Sequence, residues 1–185
     1  MSQGSKKEGP FLLGVDAGTE SLRAGIFDLF GNPLAFSSTA YSTEFPQPGW
    51  AEQNPLDWWN ALGCSVRSAI HEGGVDSNAI AAMAVDTTCC SVVALDEKGD
   101  PLRPCLIWMD LRSAPQTEKV LATGDPALRV NSNGQGPVSA EWMIPKAPWL
   151  VENEPEIFER AAVICEFQDF INYHLTGRWV ASINN

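Results

Sequence analysis

The sequence predicts an α/β or mixed α+β domain, and three of its features lead to that prediction. The chain opens with short apolar runs separated by turn residues, which is the pattern of consecutive strands. A helix with clear ends follows, with Asn54 before Pro55 at its start and Gly73-Gly74 at its stop. Further apolar runs then alternate with helical patterns over the rest of the 185 residues.

The opening strands are predicted over residues 11–16 and 23–28, and a third begins after the turn residues "FGNP" at 30–33. Short connections of this kind join antiparallel neighbours. The three runs therefore predict an antiparallel meander.

The first helix has a broad apolar stripe that predicts one buried face. Later in the chain, residues 79–86 and 91–96 are predicted as buried strands, 105–110 as a short strand and 161–167 as the last strand. Helices are predicted over 113–123 with Ser113 as the cap, over 145–155 with an interruption at Pro148, and over 168–177, and a loop is predicted over 131–139. The apolar stripe of the first helix consists of Trp58, Trp59, Leu62, Val66, Ala69 and Ile70.

Composition narrows the class of protein. The chain is 44% hydrophobic and 19% charged, which is typical of a globular protein with one well-cored domain. A net charge of −11 argues against a nucleic-acid partner, and no apolar run is long enough to cross a membrane. Five scattered cysteines, with no C-x-x-C pair, favour a reducing cytoplasm over a zinc site or disulfide framework. Residues 1–10 are predicted to be a flexible tail.

The stretch "VDAGTESLRAGIFD" (15–28) carries the first candidate site. It predicts a strand that ends in Asp16, a turn and a second strand. A carboxylate at that point suits Mg²⁺, and Gly18 would let a phosphate approach the backbone. A hairpin that binds nothing explains this loop equally well, so the loop alone leaves both interpretations open. The other residues that could hold phosphate oxygens through N–H groups, hydroxyls or positive charge are Thr19, Glu20, Ser21 and Arg23.

Further motifs resolve that choice by resemblance. The patterns P-G-W-x-E-Q-x-P-x-x-W-W (48–59), L-x-W-x-D-x-R (106–112), P-K-x-x-W-L-x-x-N-E-P-E (145–156) and "LTGRW" (175–179) follow the loop in order. Together they resemble the FGGY carbohydrate kinases, whose fold is ribonuclease-H-like, the fold of the actin-like ATPases. Met143 and Pro148 depart from the family's usual pattern.

The resemblance implies an ATP- and Mg²⁺-dependent kinase that phosphorylates a sugar or polyol hydroxyl. It places Asp16 near the metal ion and Gly18, Thr19, Glu20, Ser21 and Arg23 near the phosphates. It also implies that residues 11–185 are part of an N-terminal domain, with the catalytic base and adenosine site elsewhere. We therefore expect this chain alone to be inactive, and a homodimer is conceivable for a full-length enzyme.

The family's two sugar-contacting positions fall on Cys89 and Cys90. Neither the Met-His pair of xylulokinase-like members nor the Arg-Glu pair of glycerol kinase-like members stands there. "VDTTCC" and "GPVSAEWMIPK" instead resemble the D-ribulose kinase branch. This predicts a ketopentose such as ribulose as substrate, with Thr88, Asp110 and Glu141 as further contacts.

Several of these residues also have ordinary structural interpretations. Cys89 and Cys90 are equally typical of small buried residues, and no His or Lys nearby in the sequence would activate a thiol. Asp110 and Arg112 could form a structural ion pair, and Lys146 could anchor a helix. The alternative function is a regulatory or scaffold protein of the actin-like superfamily that binds nucleotide or sugar without phosphotransfer.

Overall fold

The computed structural model describes residues 7–130 and 137–181. Its elements, in chain order, are β1 (Phe11–Ala17), β2 (Ser21–Phe27), β3 (Pro33–Ala40), β4 (Glu52–Gln53), α1 (Pro55–Gly73), β5 (Ile80–Thr87), β6 (Val92–Leu95), β7 (Cys105–Leu106), α2 (Ala114–Ala122), α3 (Met143–Asn153), α4 (Pro155–Arg160), β8 (Val163–Glu166) and α5 (Phe167–Thr176). Short 3₁₀ turns cover Ser77–Ala79 and Pro126–Val130. The mixed α/β class is confirmed.

The chain divides into two compact units, whereas its length had favoured a single one. The first unit contains the described residues up to Ser42 together with Leu56–Thr88. The second contains Thr43–Pro55 and the described residues from Cys89 onward. Each unit has its own sheet.

The first unit is a mixed sheet in the order β3-β2-β1-β5. Its first three strands form the predicted antiparallel meander, and β5 pairs parallel to β1. The helix α1 packs on one face, where Ser65 Oγ donates to the Leu22 carbonyl at 3.1 Å. The apolar stripe prediction is confirmed by Trp58, which is fully buried.

Strand β5 corrects the prediction of a buried strand over 79–86. Its residues are mostly exposed, including Met83. The physical reason is position, because β5 lies at the edge of the sheet, with β1 as its neighbour. Apolar composition alone did not reveal how many faces of the strand would be covered.

The second unit contains an antiparallel sheet in the order β4-β7-β6-β8. Its strand β6 is completely buried, as predicted, and Leu106 packs with Trp149 and Leu150 in the core. The predicted strand at 105–110 is shorter than expected, since β7 ends at Leu106.

Two helix predictions need correction. Helix α3 runs through Pro148 without interruption. Ser113 precedes α2 but does not cap it through its side chain, because its hydroxyl donates to the Ala140 carbonyl at 2.9 Å instead. The end of α5 is as predicted, with Gly177 in the left-handed conformation at φ 66°.

The predicted tail and loop lie partly outside the described residues. Residues 1–6 of the predicted tail lie outside the described residues, and in its described part the Lys7 N–H donates to the Gly74 carbonyl at 2.8 Å, where Lys7 forms an isolated parallel bridge with Val75. The loop predicted over 131–139 falls mostly on residues that the structure does not describe. In the described ranges, no helix is long and apolar enough to cross a membrane.

Candidate functional site

The residues predicted to hold phosphate lie in and beside the turn between β1 and β2, which we call the loop predicted to bind phosphate, or phosphate loop. Gly18 N–H donates to the Ser21 carbonyl at 3.0 Å, which closes the turn. Tyr41, just after β3, holds the same turn at two points: its N–H donates to the Glu20 carbonyl at 3.1 Å and its hydroxyl donates to the Gly18 carbonyl. Thr19 lies between these contacts. The loop therefore has a fixed backbone.

Tyr41 was missed by the sequence analysis. Its hydroxyl is partly buried, and burial together with the nearby Asp16 carboxylate raises its pKa well above the ordinary value. The phenol thus stays protonated and remains a donor. An aromatic residue near the end of the predicted third strand was the signal that could have identified it.

Asp16 and Arg23 stand directly opposite each other on β1 and β2. Arg23 Nη1 donates to Asp16 Oδ2 at 2.7 Å, and both side chains are more than half exposed. The structure thus brings the predicted metal ligand and the predicted phosphate contact together. Exposed pairs of this kind contribute little to stability, so both groups can take new partners at small cost.

Asp86 is a second carboxylate at this end of the sheet, and the sequence analysis missed it. It pairs in register with Asp16 across the parallel strands β1 and β5, and it is exposed. Adjacent residues in register on parallel strands point to the same face. The pattern V-D at the end of a predicted strand was its sequence signal.

The carboxylates fit a magnesium ion bound together with substrate phosphates. Within the described residues, no group of three or more histidine, cysteine or acidic side chains could hold a metal by itself. Mg²⁺ commonly takes only one or two carboxylates, with phosphate oxygens and waters as its other ligands. Asp16, with Asp86 beside it, meets that requirement.

Thr88 follows β5 and lies beside the end of β1. Its N–H donates to the Ala17 carbonyl at 3.1 Å, one residue after Asp16. The predicted sugar contact Thr88 is therefore held next to the phosphate loop within the first unit.

Cys89 and Cys90 begin the longer of the two segments that make up the second unit. Cys89 is exposed, whereas Cys90 is half-buried and has φ 60°. Burial, with Cys89 and Glu166 nearby, raises the pKa of the Cys90 thiol to about 12. The thiol is therefore neutral at ordinary pH, which agrees with the interpretation that it is not a nucleophile.

Lys146 lies at the centre of the second unit's candidate residues. Its buried ammonium donates to the carbonyls of Cys90 and Glu141 at 2.7 Å each, and to that of Ile107 at 2.8 Å. Burial lowers the pKa of this amine below its ordinary value. The prediction that Lys146 anchors its helix understated its contacts, which join three separate segments.

Glu141 is half-buried. Ser139 Oγ lies 3.4 Å from Glu141 Oε2 and accepts the Glu141 N–H at 3.2 Å. The backbone of Glu141 is thus held by its carbonyl at Lys146 and by its N–H at Ser139.

Asp110 is fully buried and bound by the protein's own donors. Its carboxylate accepts from Ala51 N–H at 2.6 Å and from the Arg112 side chain at 2.8–3.0 Å. The Arg112 guanidinium lies 3.7 Å from the ring centre of Trp50 and also pairs with Glu52. This geometry favours the structural ion pair over the predicted sugar contact, and we leave Asp110 out of the proposed site.

Comparisons with known proteins find similarity to the N-terminal part of carbohydrate kinases. The model of the FGGY family of carbohydrate kinases, N-terminal domain, matches residues 11–185. The chain is 33% identical over 94% of its length to the xylulose kinase of Streptomyces coelicolor, and 30% identical over 92% to a D-ribulokinase of Saccharomyces cerevisiae. It covers 35% and 25% of those proteins.

Solved structures show the same fold. The xylulose kinase of Rhodospirillum rubrum superposes with a TM-score of 0.84 at 27% identity, over 93% of this chain and 35% of that one. The glycerol kinase of Thermococcus onnurineus is 29% identical in sequence over 95% of this chain and 36% of its own length. The chain thus spans about a third of the length of the first relatives it matches.

Proposed function

The chain belongs to the FGGY family of carbohydrate kinases, and we propose that it supplies the phosphate loop and part of the sugar site for ATP-dependent phosphorylation of a sugar or polyol. The observation that carries this proposal is the Asp16–Arg23 pair beside the closed turn from Gly18 to Ser21. The charges of the pair are exposed and the backbone of the turn is fixed, and both features suit the binding of a phosphate.

Each loop residue has a distinct proposed role. Backbone N–H groups at Thr19, Glu20 and Ser21 and the Arg23 guanidinium hold phosphate oxygens. Asp16 is the carboxylate that would hold Mg²⁺, and arrival of a phosphate gives Arg23 a new anionic partner. Mg²⁺, when bound, neutralises charge on the transferred phosphoryl group.

For the acceptor we propose a ketopentose such as ribulose. Cys89, Cys90 and Glu141 of the second unit are proposed sugar contacts, and Thr88, the last residue of the first unit, is proposed as a sugar contact as well. Relatives named as xylulose, glycerol and ribulose kinases support a polyhydroxylated acceptor. The preference for ribulose rests on the cysteine pair and on the segment around Glu141.

None of these assigned residues accepts the proton of the acceptor hydroxyl. We therefore expect the purified 185-residue chain to bind sugar without transferring phosphate to it. Sugar-dependent ADP release by that chain would contradict this part of the proposal.

The test separates binding from transfer. Saturation-transfer NMR on the 185-residue chain would compare ribulose, xylulose, ribitol, arabitol, erythritol and glycerol, and a coupled ADP assay would follow the longest natural form of the protein. We expect the ketopentoses to bind and ribulose to be phosphorylated. Cys89→Phe should abolish the sugar signal, while Cys64→Phe, at another exposed cysteine, should leave it unchanged.

The regulatory or scaffold alternative predicts a different outcome. A protein of that kind would bind nucleotide or sugar and release no ADP with any of the six compounds, even in its longest form. That result would replace the kinase proposal.

A further inference from the structure

Cys90 has a strained backbone. In the described part of the chain it is the one residue other than glycine with a positive φ, at 60°. A side chain with a Cβ disfavours this region, so the surrounding structure must hold it there. Strain of this kind is common at functional sites, and Cys90 is a proposed sugar contact.

Two buried charged side chains bind the backbone N–H and the backbone carbonyl of Cys90. Glu166 Oε2 accepts the Cys90 N–H at 2.7 Å, and Lys146 Nζ donates to the Cys90 carbonyl at 2.7 Å. Glu166 is 3% exposed and Lys146 is 0% exposed. Hydrogen bonds to charged groups are stronger than those between neutral groups. We call this pair, Lys146 and Glu166, the Cys90 clamp.

The lysine end of the Cys90 clamp has no donor left for a ligand. A lysine ammonium has three N–H bonds, and the carbonyls of Cys90, Ile107 and Glu141 take all three at 2.7–2.8 Å. Lys146 therefore acts through the backbone of its partners. Two of those partners, Cys90 and Glu141, are proposed sugar contacts.

The glutamate end is fixed by the start of α5. Glu166 and Asp169 form a capping box, in which the Glu166 N–H donates to Asp169 Oδ2 at 3.1 Å. The next residue, Phe167, donates its N–H to the Ser91 carbonyl at 3.0 Å. The carboxylate of Glu166 is thus set beside the segment that follows Cys90.

We propose that Lys146 and Glu166 are positioning residues for the sugar site: they hold Cys90 in its left-handed conformation and fix its place relative to Glu141. This inference rests on the proposed function, because Cys90 and Glu141 matter here as sugar contacts. A merely stabilising role would lower stability without changing the Cys90 backbone or the sugar affinity of the folded protein.

The test uses Lys146→Met and Glu166→Leu in the 185-residue chain. NMR chemical shifts of the Cys90 Cα and Cβ report its backbone conformation without any sugar, and titration with ribulose reports affinity. We expect both variants to lose the left-handed shift pattern and to weaken ribulose binding by about tenfold or more. Lys119→Met, at an exposed surface lysine, is the matched control and should change neither.

Each other outcome overturns the proposal in its own way. If Cys90 keeps its left-handed shifts in both variants, the clamp does not hold it. If its shifts change while ribulose affinity stays the same, the residues do not position the sugar site. If the unaltered protein binds no sugar, the proposed function itself fails, and the positioning role fails with it.

A milder variant decides the question if the first two fail to fold. Glu166→Gln keeps an oxygen that can accept the Cys90 N–H but removes the charge. We expect the Cys90 amide proton to move upfield and ribulose affinity to fall about threefold, since a charge-assisted hydrogen bond becomes a neutral one. Unchanged amide shift and affinity would overturn the proposal, and Glu152→Gln at the surface is the control.

Discussion

The phosphate loop of the first unit and the Cys90 clamp of the second use charged residues in opposite ways. In the loop, Asp16 and Arg23 pair at 2.7 Å with more than half of each side chain exposed. In the clamp, Lys146 and Glu166 are buried and bind the backbone of Cys90, and Asp110 and Arg112 of the same unit form a second buried pair. Both regions contain cations and anions, but only the loop leaves them accessible to a ligand.

This difference separates stability from ligand binding. An exposed ion pair contributes little to folding, so its substitution should chiefly change what the protein binds. A buried charge that loses a partner is strongly destabilising, because the remaining group has no water to replace it. The same type of substitution should therefore have opposite consequences at the exposed pair of the loop and at the buried pairs of the second unit.

Replacing matched arginines gives the largest expected effect on stability. Arg112→Met leaves the buried Asp110 without its main partner and should lower the free energy of unfolding by about 3–5 kcal/mol. Arg23→Met breaks only an exposed pair and should stay within about 0.5 kcal/mol of the unaltered protein. Urea denaturation of both variants measures the contrast. Equal losses would show that the two units do not differ in this way.

Asp16→Ala tests the proposed catalytic role of the exposed loop through its effect on kcat. The proposed role near Mg²⁺ predicts that kcat falls about a hundredfold while sugar affinity is nearly unchanged. The assay is ADP release by the longest natural form at saturating Mg²⁺. Glu97→Ala removes another exposed acid as a control. An unchanged kcat for Asp16→Ala would refute its assignment.

Two glycines extend the contrast to the backbone. Gly18 has no positive φ, and an added Cβ would meet the Ser21 carbonyl oxygen at an ordinary 3.6 Å. Gly18→Ala should therefore leave stability within about 0.5 kcal/mol, yet weaken nucleotide binding about tenfold if a phosphate approaches that backbone. Gly99 has φ 85°, and an added Cβ there would overlap the Tyr173 ring.

Gly99→Ala is thus the matched control for this prediction. It should destabilise the second unit by about 2 kcal/mol or more through strain and overlap, with no specific effect on nucleotide. Thermal unfolding and nucleotide titration of both variants distinguish the two results. A stability loss in Gly18→Ala as large as that in Gly99→Ala would contradict the assignment of Gly18 to ligand approach.

Local patterns predicted the parts of the fold that local physics determines. The meander, α1 and the end of α5 at Gly177 follow from turn residues, an apolar stripe and a left-handed glycine. The exposure of β5 could not be predicted, because burial depends on which elements cover a strand and not on its own apolar residues.

The site residues divide along the same line. The loop from Asp16 to Arg23 is contiguous, so its motif was visible in the sequence. The Cys90 clamp joins residues 56 and 76 positions apart, and no spacing rule connects Cys90 to Lys146 or Glu166. Asp110 resembled a ligand residue by motif, but its burial with Arg112 is a property of tertiary packing.

The smallest expected effect is a pH dependence of stability that comes from Glu166. Burial raises the pKa of Glu166 in the folded protein above the ordinary 4.5. Between pH 4.5 and that higher value the folded state holds more protons than the unfolded state, so this group's contribution to stability is lost as pH rises. Glu166→Gln should remove that slope.

Glu152 provides a control of opposite sign, because hydrogen bonds from Lys119 and Gln116 lower its pKa. The contribution of Glu152 to stability is present above pH 4.5 and is lost as pH falls through its lower folded-state pKa. Glu152→Gln should therefore change the pH dependence of stability only below pH 4.5. The urea midpoints of both variants and of the unaltered protein, measured from pH 3 to 8, test the two opposite pH dependences. If the slope above pH 4.5 persists in Glu166→Gln, Glu166 does not carry its charge in a buried site, and the difference between the two units narrows.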